Sequence, residues 1–237
     1  MSLELSALVI TAASVAFFHT LFGPDHYLPF VMMSWARKWS GAKTALITFL
    51  CGIGHIASSI VLGFIGIALG LAVQGLVNVE SFRGNVAAWL LIAFGFAYMI
   101  WGIRRAIRNK PHVHRHVHAD KLIHEHKHSH SEGHTHVHDA EDKSVTTPWI
   151  LFIIFVFGPC EPLIPILMYP AAQNNFIDLL IVTGVFGTIT ISTMLAVVFI
   201  ARAGINLLPL KKVQRYSHAI AGTSILLCGL AIQFLGL

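Results

Sequence analysis

Long apolar runs restrict this chain more than any other feature, because a stretch of roughly 20 apolar residues is what a helix needs to cross the ~30 Å hydrocarbon layer of a bilayer. Six stretches qualify, at about 3–35, 44–72, 86–103, 149–169, 176–201 and 217–237. Only 11% of residues are charged, 55% are hydrophobic, and the mean hydropathy is +0.71. A soluble domain carries about a quarter of its residues as charges. The sequence therefore predicts a multi-pass membrane protein. The net charge of +5 does not point to nucleic acid, since the bases lie in short clusters beside the apolar runs. The first run lacks the basic leader and small-residue cleavage site of a signal peptide, so it is read as a membrane helix.

Two of the six runs are interrupted. Pro24 and Pro29 fall in the first, and Pro159, Pro162 and Pro165 in the fourth. Proline removes a backbone donor and clashes with the preceding turn, so both helices are expected to be broken. Orientation follows from the bases. Arg37, Lys38, Lys43, Arg104, Arg105, Arg108, Lys110, Arg202, Lys211, Lys212 and Arg215 collect on one side, and Arg83 alone falls on the other. The positive-inside rule then puts both termini outside the inner membrane and the long connector in the cytoplasm.

Phe22-Gly23-Pro24-Asp25-His26-x-Leu28 matches Phe157-Gly158-Pro159-Cys160-Glu161-x-Leu163, and Gly95, Gly102 and Gly54 match Gly229, Gly236 and Gly187 at nearly the same separation. The expected architecture is all-α: two inverted three-helix repeats, 1–103 and 148–237, each with a broken first helix, joined by a disordered connector at 104–147. That connector holds eleven of the fifteen histidines: His112, His114, His116, His118, His124, His126, His128, His130, His134, His136 and His138. Its composition is too polar to fold alone and suits metal binding.

Ionisable groups at bilayer depth are costly, and their presence is a default pointer to function. Asp25 and Glu161 are the acids well inside apolar runs, one at each break, and are expected to meet near the repeat axis. His19, His26 and His55 supply imidazoles, and Cys160 a thiol. His19, Asp25, His26, His55, Cys160 and Glu161 would suit a borderline divalent ion such as Ni²⁺, Co²⁺ or Zn²⁺ better than Mg²⁺. Of these, His19 is the member that the break can turn away. Plainer roles exist for several: His55 as an interhelical hydrogen-bonding group, Cys160 as a small apolar filler, and Thr188, Thr190, Ser192 and Thr193 as backbone-bonded hydroxyls. Cys51, Cys160 and Cys228 stand apart, with no C-x-x-C pair.

The His19-x5-Asp25-His26 pattern, written H-x-L-F-G-P-D-H, resembles the first-helix signature of the nickel/cobalt transporter superfamily, including its urease-accessory-like and nickel-cobalt efflux transmembrane branch. The resemblance implies a secondary transporter for Ni²⁺ or Co²⁺, and the His-rich connector leans it toward efflux. The expectation is no enzyme and no required cofactor. Instead the site passes a divalent metal, with protons as the coupling ion.

Three other functions fit parts of the chain. A sulfite-type anion exporter would use half-helix N-termini to attract its substrate. A membrane thiol–disulfide carrier of the cytochrome-biogenesis type would use the Gly158-Pro159-Cys160 step, with Cys51 as the available second thiol. A metal-sensing or metallochaperone-docking protein would bind metal through the connector alone.

Overall fold

The computed structural model describes residues 2–70, 73–108, 112–117, 123–128, 146–158, 160, 162–173, 175–207 and 213–236. Glu161 and the connector histidines His118, His130, His134, His136 and His138 lie outside them. The elements in order are α1 (Leu3–Phe22), α2 (Leu28–Ala36), α3 (Gly41–Ala68), α4 (Val73–Arg108), β1 (His112–Val117), β2 (Ile123–His128), α5 (Thr146–Phe157), α6 (Leu163–Ala172), α7 (Phe176–Leu207) and α8 (Ser217–Leu235).

Five helices among the described residues are long and apolar enough to cross a bilayer: α1, α3, α4, α7, and α8 with the turn before it. Six spans were expected. The difference is the fourth run, which divides into α5 with 12 residues and α6 with 10, each too short to cross alone. The first run is also divided: α1 stops at Phe22, Pro24–His26 form a 3-10 turn, and α2 starts at Leu28 with Pro29 in its first turn. Proline at a helix start is tolerated because the missing N–H would have no partner there. Both divisions fall at Gly-Pro steps.

The third run differs in the other direction. Expected over 86–103, it is helical from Val73 to Arg108 and so takes Glu80 and Arg83 into a helix. Its last turn carries Arg105 and Arg108, which complement the carbonyl end of the helix dipole.

α4 packs most extensively against α8, and glycines set the closeness of that contact. A Cβ on Gly95 would meet the backbone N of Leu226, one on Gly102 that of Ala219, and one on Gly222 that of Met99. Helices in lipid gain no hydrophobic drive toward each other, and small residues let their backbones touch instead. Among the described residues, the buried apolar side chains form two clusters. Phe30, Met33, Cys51, Leu151, Phe155, Met194, Ile225 and Cys228 fill one, around α2. Leu5, Ala12, Ala16, Cys160, Leu163, Leu167, Val182 and Phe186 fill the other, where α1 and α6 meet α7.

The basic residues gather at one end of the bundle. Arg37 donates to Tyr98 Oη at 3.3 Å, Arg202 donates to Thr44 Oγ1 at 2.6 Å and to the Trp39 carbonyl at 2.8 Å, and Arg215 Nε donates to the Ala106 carbonyl at 2.8 Å. Within the connector, which was expected to lack regular structure, β1 and β2 pair antiparallel with His112 opposite His128, His114 opposite His126 and His116 opposite His124. His112, His114 and His116 alternate with Val113, Arg115 and Val117, the period of two that a strand needs.

Candidate functional site

The first break builds the site. Gly23 N–H still donates to the His19 carbonyl at 3.0 Å, but Pro24 cannot continue the ladder, and the chain tightens so that His26 N–H donates to the Gly23 carbonyl at 3.1 Å. This tight turn folds the His26 ring back beside His19 at the end of α1, with ring centroids 4.9 Å apart. The chain has no room for a side chain at position 23: a Cβ there would lie 2.5 Å from His26 Nδ1 and 2.9 Å from Asp25 Oδ1.

α3 supplies the third imidazole. The His55 ring centroid is 5.1 Å from that of His26, edge to face. The three residues each offer a ring nitrogen within 4.8 Å of the others. The break does not turn His19 away; it brings His26 to it. His26 and His55 are both 2% exposed, and His19 Nε2, His26 Nε2 and both His55 ring nitrogens are buried with no hydrogen-bond partner among the described residues.

Asp25 plays a different part. Its Oδ1 accepts from His26 Nδ1 at 3.1 Å, and the Gly23 carbonyl accepts from the same nitrogen at 3.2 Å. Two acceptors on Nδ1 put the proton there and leave a lone pair on Nε2, which is buried without a partner among the described residues. These groups line a cavity of about 900 Å³ whose further walls include Ser81 and Asn85 of α4 and Gln233 near the end of α8.

A polar stripe runs along α3. Thr44, Thr48, Cys51, His55 and Ser59 recur at helical spacing and are all buried. It connects the imidazoles with the basic end, where Thr44 meets Arg202. On α7, Thr190 Oγ1, expected to bond to backbone, is instead buried without a partner among the described residues, whereas Thr183 Oγ1 donates to the Leu179 carbonyl at 2.6 Å.

The second break is held by a pair that sequence reasoning missed. Arg83 donates to the Val156 carbonyl at 2.8 Å, to the Gly158 carbonyl at 3.5 Å and to Ser58 Oγ at 2.7 Å. It also donates to Glu80 Oε1 at 2.7 Å, and Glu80 Oε2 accepts the Cys160 backbone N–H at 3.3 Å. A cation thus donates to carbonyls at the end of α5 and just beyond it, and an anion accepts an N–H on the far side of the break. Backbone groups freed at membrane depth need such partners. The readable signal was the three-residue spacing of Glu80 and Arg83, which forms an ion pair only if the helix extends toward Val73. It also corrects the view that the deep acids are those at the breaks: Glu80, within α4, is fully buried, with its charge matched by Arg83.

Cys160 is itself fully buried between the halves of the second break. The three cysteines are free: Cys51 and Cys228 belong to the core around α2, and Cys160 to the one beside α1. His55 touches Gly158, where a Cβ would lie 3.0 Å from His55 Nδ1, so the α3 stripe and the second break adjoin.

Compared with known families, residues 28–231 match the family described as cytochrome C biogenesis protein transmembrane region. No curated protein and no solved structure matches the chain. The family match overturns the resemblance to the nickel/cobalt transporter superfamily, and with it nickel and cobalt transport. It covers α2 through most of α8, whereas that resemblance rested on His19–His26, which precede Leu28.

Proposed function

This chain belongs to the cytochrome c biogenesis transmembrane family, and from that premise we propose that it is a multi-pass membrane carrier of reducing equivalents, exchanging thiols and disulfides with partners on the two faces of the bilayer. The observation that carries this reading is the position of Cys160: fully buried, at a helix break, with its backbone N–H bonded to Glu80. A carrier also needs a second thiol. The first break offers Asp25 where the second has Cys160, so the partner comes from elsewhere, and Cys51 lies one helical turn from His55, which packs on Gly158.

In the reducing direction, an incoming dithiol reduces the Cys51–Cys160 disulfide and is itself oxidised. The two chain thiols then reform their disulfide as they reduce a partner's disulfide on the other face, so two electrons and two protons are passed on. A disulfide requires Cα atoms within ~7 Å, so the short α5 and α6 close on α3 during the cycle. Two inverted halves broken at matching Gly-Pro steps, with the connector and basic end in the cytoplasm, suit a carrier open to each face in turn.

The test is trapping in membranes. Mild oxidation of the wild-type protein is expected to give a Cys51–Cys160 disulfide, read as a mobility shift after thiol alkylation, and Cys51→Ala or Cys160→Ala is expected to stop reduction of an added disulfide acceptor outside. Unchanged acceptor reduction in Cys160→Ala sinks the reading.

A further inference from the structure

We infer that His19, His26 and His55 form a binding site for one divalent transition-metal ion of the Zn²⁺ class, with Asp25 as the residue that positions His26 and the cavity side left open for an exchangeable fourth ligand. The inference rests on the imidazole cluster alone and does not need thiol exchange.

Three observations converge on it. First, imidazoles from α1, the 3-10 turn and α3 present ring nitrogens within 4.8 Å of one another. Metal–nitrogen bonds of ~2.0–2.1 Å at tetrahedral angles put nitrogens about 3.3 Å apart, so each ring closes by under ~1 Å to bind. Second, His19 Nε2, His26 Nε2 and both His55 nitrogens are buried without a partner among the described residues. Buried polar atoms are nearly always satisfied, and a group of them converging on one point is explained by a bound cation. Third, His26 Nδ1 is bonded to Asp25 Oδ1 at 3.1 Å and to the Gly23 carbonyl at 3.2 Å. A carboxylate on the far nitrogen of a ligating histidine is the usual device that fixes its tautomer and aims the other nitrogen at a metal.

The donor set selects the ion. Neutral imidazoles favour borderline transition metals, while Mg²⁺ and Ca²⁺ take oxygen ligands. Three protein ligands facing a cavity of about 900 Å³ leave a coordination position open, which distinguishes an exchanging site from a closed structural one. Ser81, Asn85 and Gln233 across that cavity can hydrogen-bond a metal-bound water or a small anion.

The experiment uses the full chain in nanodiscs with the eleven connector histidines changed to Asn, which removes the competing imidazoles of that segment. Co²⁺ is the spectroscopic probe and Zn²⁺ the competitor. One equivalent of Co²⁺ is expected to give the intense visible absorption of a four-coordinate site, displaced by Zn²⁺. His26→Ala and His55→Gln are expected to abolish it, with monodispersity in gel filtration confirming the fold. Asp25→Asn is expected to keep the band position and weaken affinity roughly 10- to 100-fold, the mark of a positioning residue rather than a ligand. The Cys51→Ala/Cys160→Ala double variant is expected to bind as the parent does, which separates this site from the thiol reading. No Co²⁺ band and no thermal stabilisation by Zn²⁺ in the parent, or a band unchanged in both His26→Ala and His55→Gln, overturns the proposal.

Discussion

Arg83 is the residue whose loss is expected to cost the bundle most. Its guanidinium answers Glu80, Ser58 and two carbonyls of the second break, and its carboxylate partner is fully buried. Arg83→Ala takes the cation away from a fully buried carboxylate and from the carbonyls of the break, and is expected to destabilise by about 3–5 kcal/mol. Removing both charges, as Glu80→Gln/Arg83→Gln, is expected to cost less than Arg83→Ala, and unfolding in mixed micelles compares them. An equal or larger loss in the double variant contradicts the account. His19, Asp25, His26 and His55 were legible because ionisable groups stand out against apolar neighbours. Glu80 and Arg83 were not, since their flanks, from Gln74 to Asn85, include enough polar residues to look like an aqueous loop. Their three-residue spacing hinted at an ion pair, but the break they serve is distant in sequence.

Elements were legible to different degrees for related reasons. Both breaks were visible because proline acts locally through its own ring and missing donor. The start of α4 was not, because hydropathy falls over Val73–Arg83 while the helix continues. The connector hairpin escaped notice because an apolar scan does not register strands built from His and Val. Glycine matches between the halves hinted at a pattern, but their role emerges from packing. Gly95, Gly102 and Gly222 are the points where α4 and α8 touch backbone to backbone. Gly222→Leu is therefore expected to force the helices apart and to lower the thermal unfolding midpoint strongly, while Gly184→Leu, where a Cβ meets nothing within 4 Å, is expected to change it little. Equal midpoints for the two variants contradict this packing account.

At the scale of the molecule, charge distribution along the chain anticipated a single basic end, and the contacts of Arg37, Arg202 and Arg215 gather there. The cytochrome c biogenesis family was legible only as an alternative, through the Gly158-Pro159-Cys160 step, because the most distinctive residues, His19 to His26, precede the matched span and pointed to metal transport. The α4–α8 seam has a mechanical consequence. With backbones in direct contact along several turns, those two helices can neither slide nor rotate without lifting apart, so they form a rigid spine. Any movement during a carrier cycle is therefore expected at the interrupted elements, between α1 and α2 and between α5 and α6, rather than along that spine. A photo-cross-link tying α4 to α8 is expected to leave acceptor reduction intact, whereas one tying α1 to α7 is expected to stall it, and the comparison reads out which parts of the bundle move.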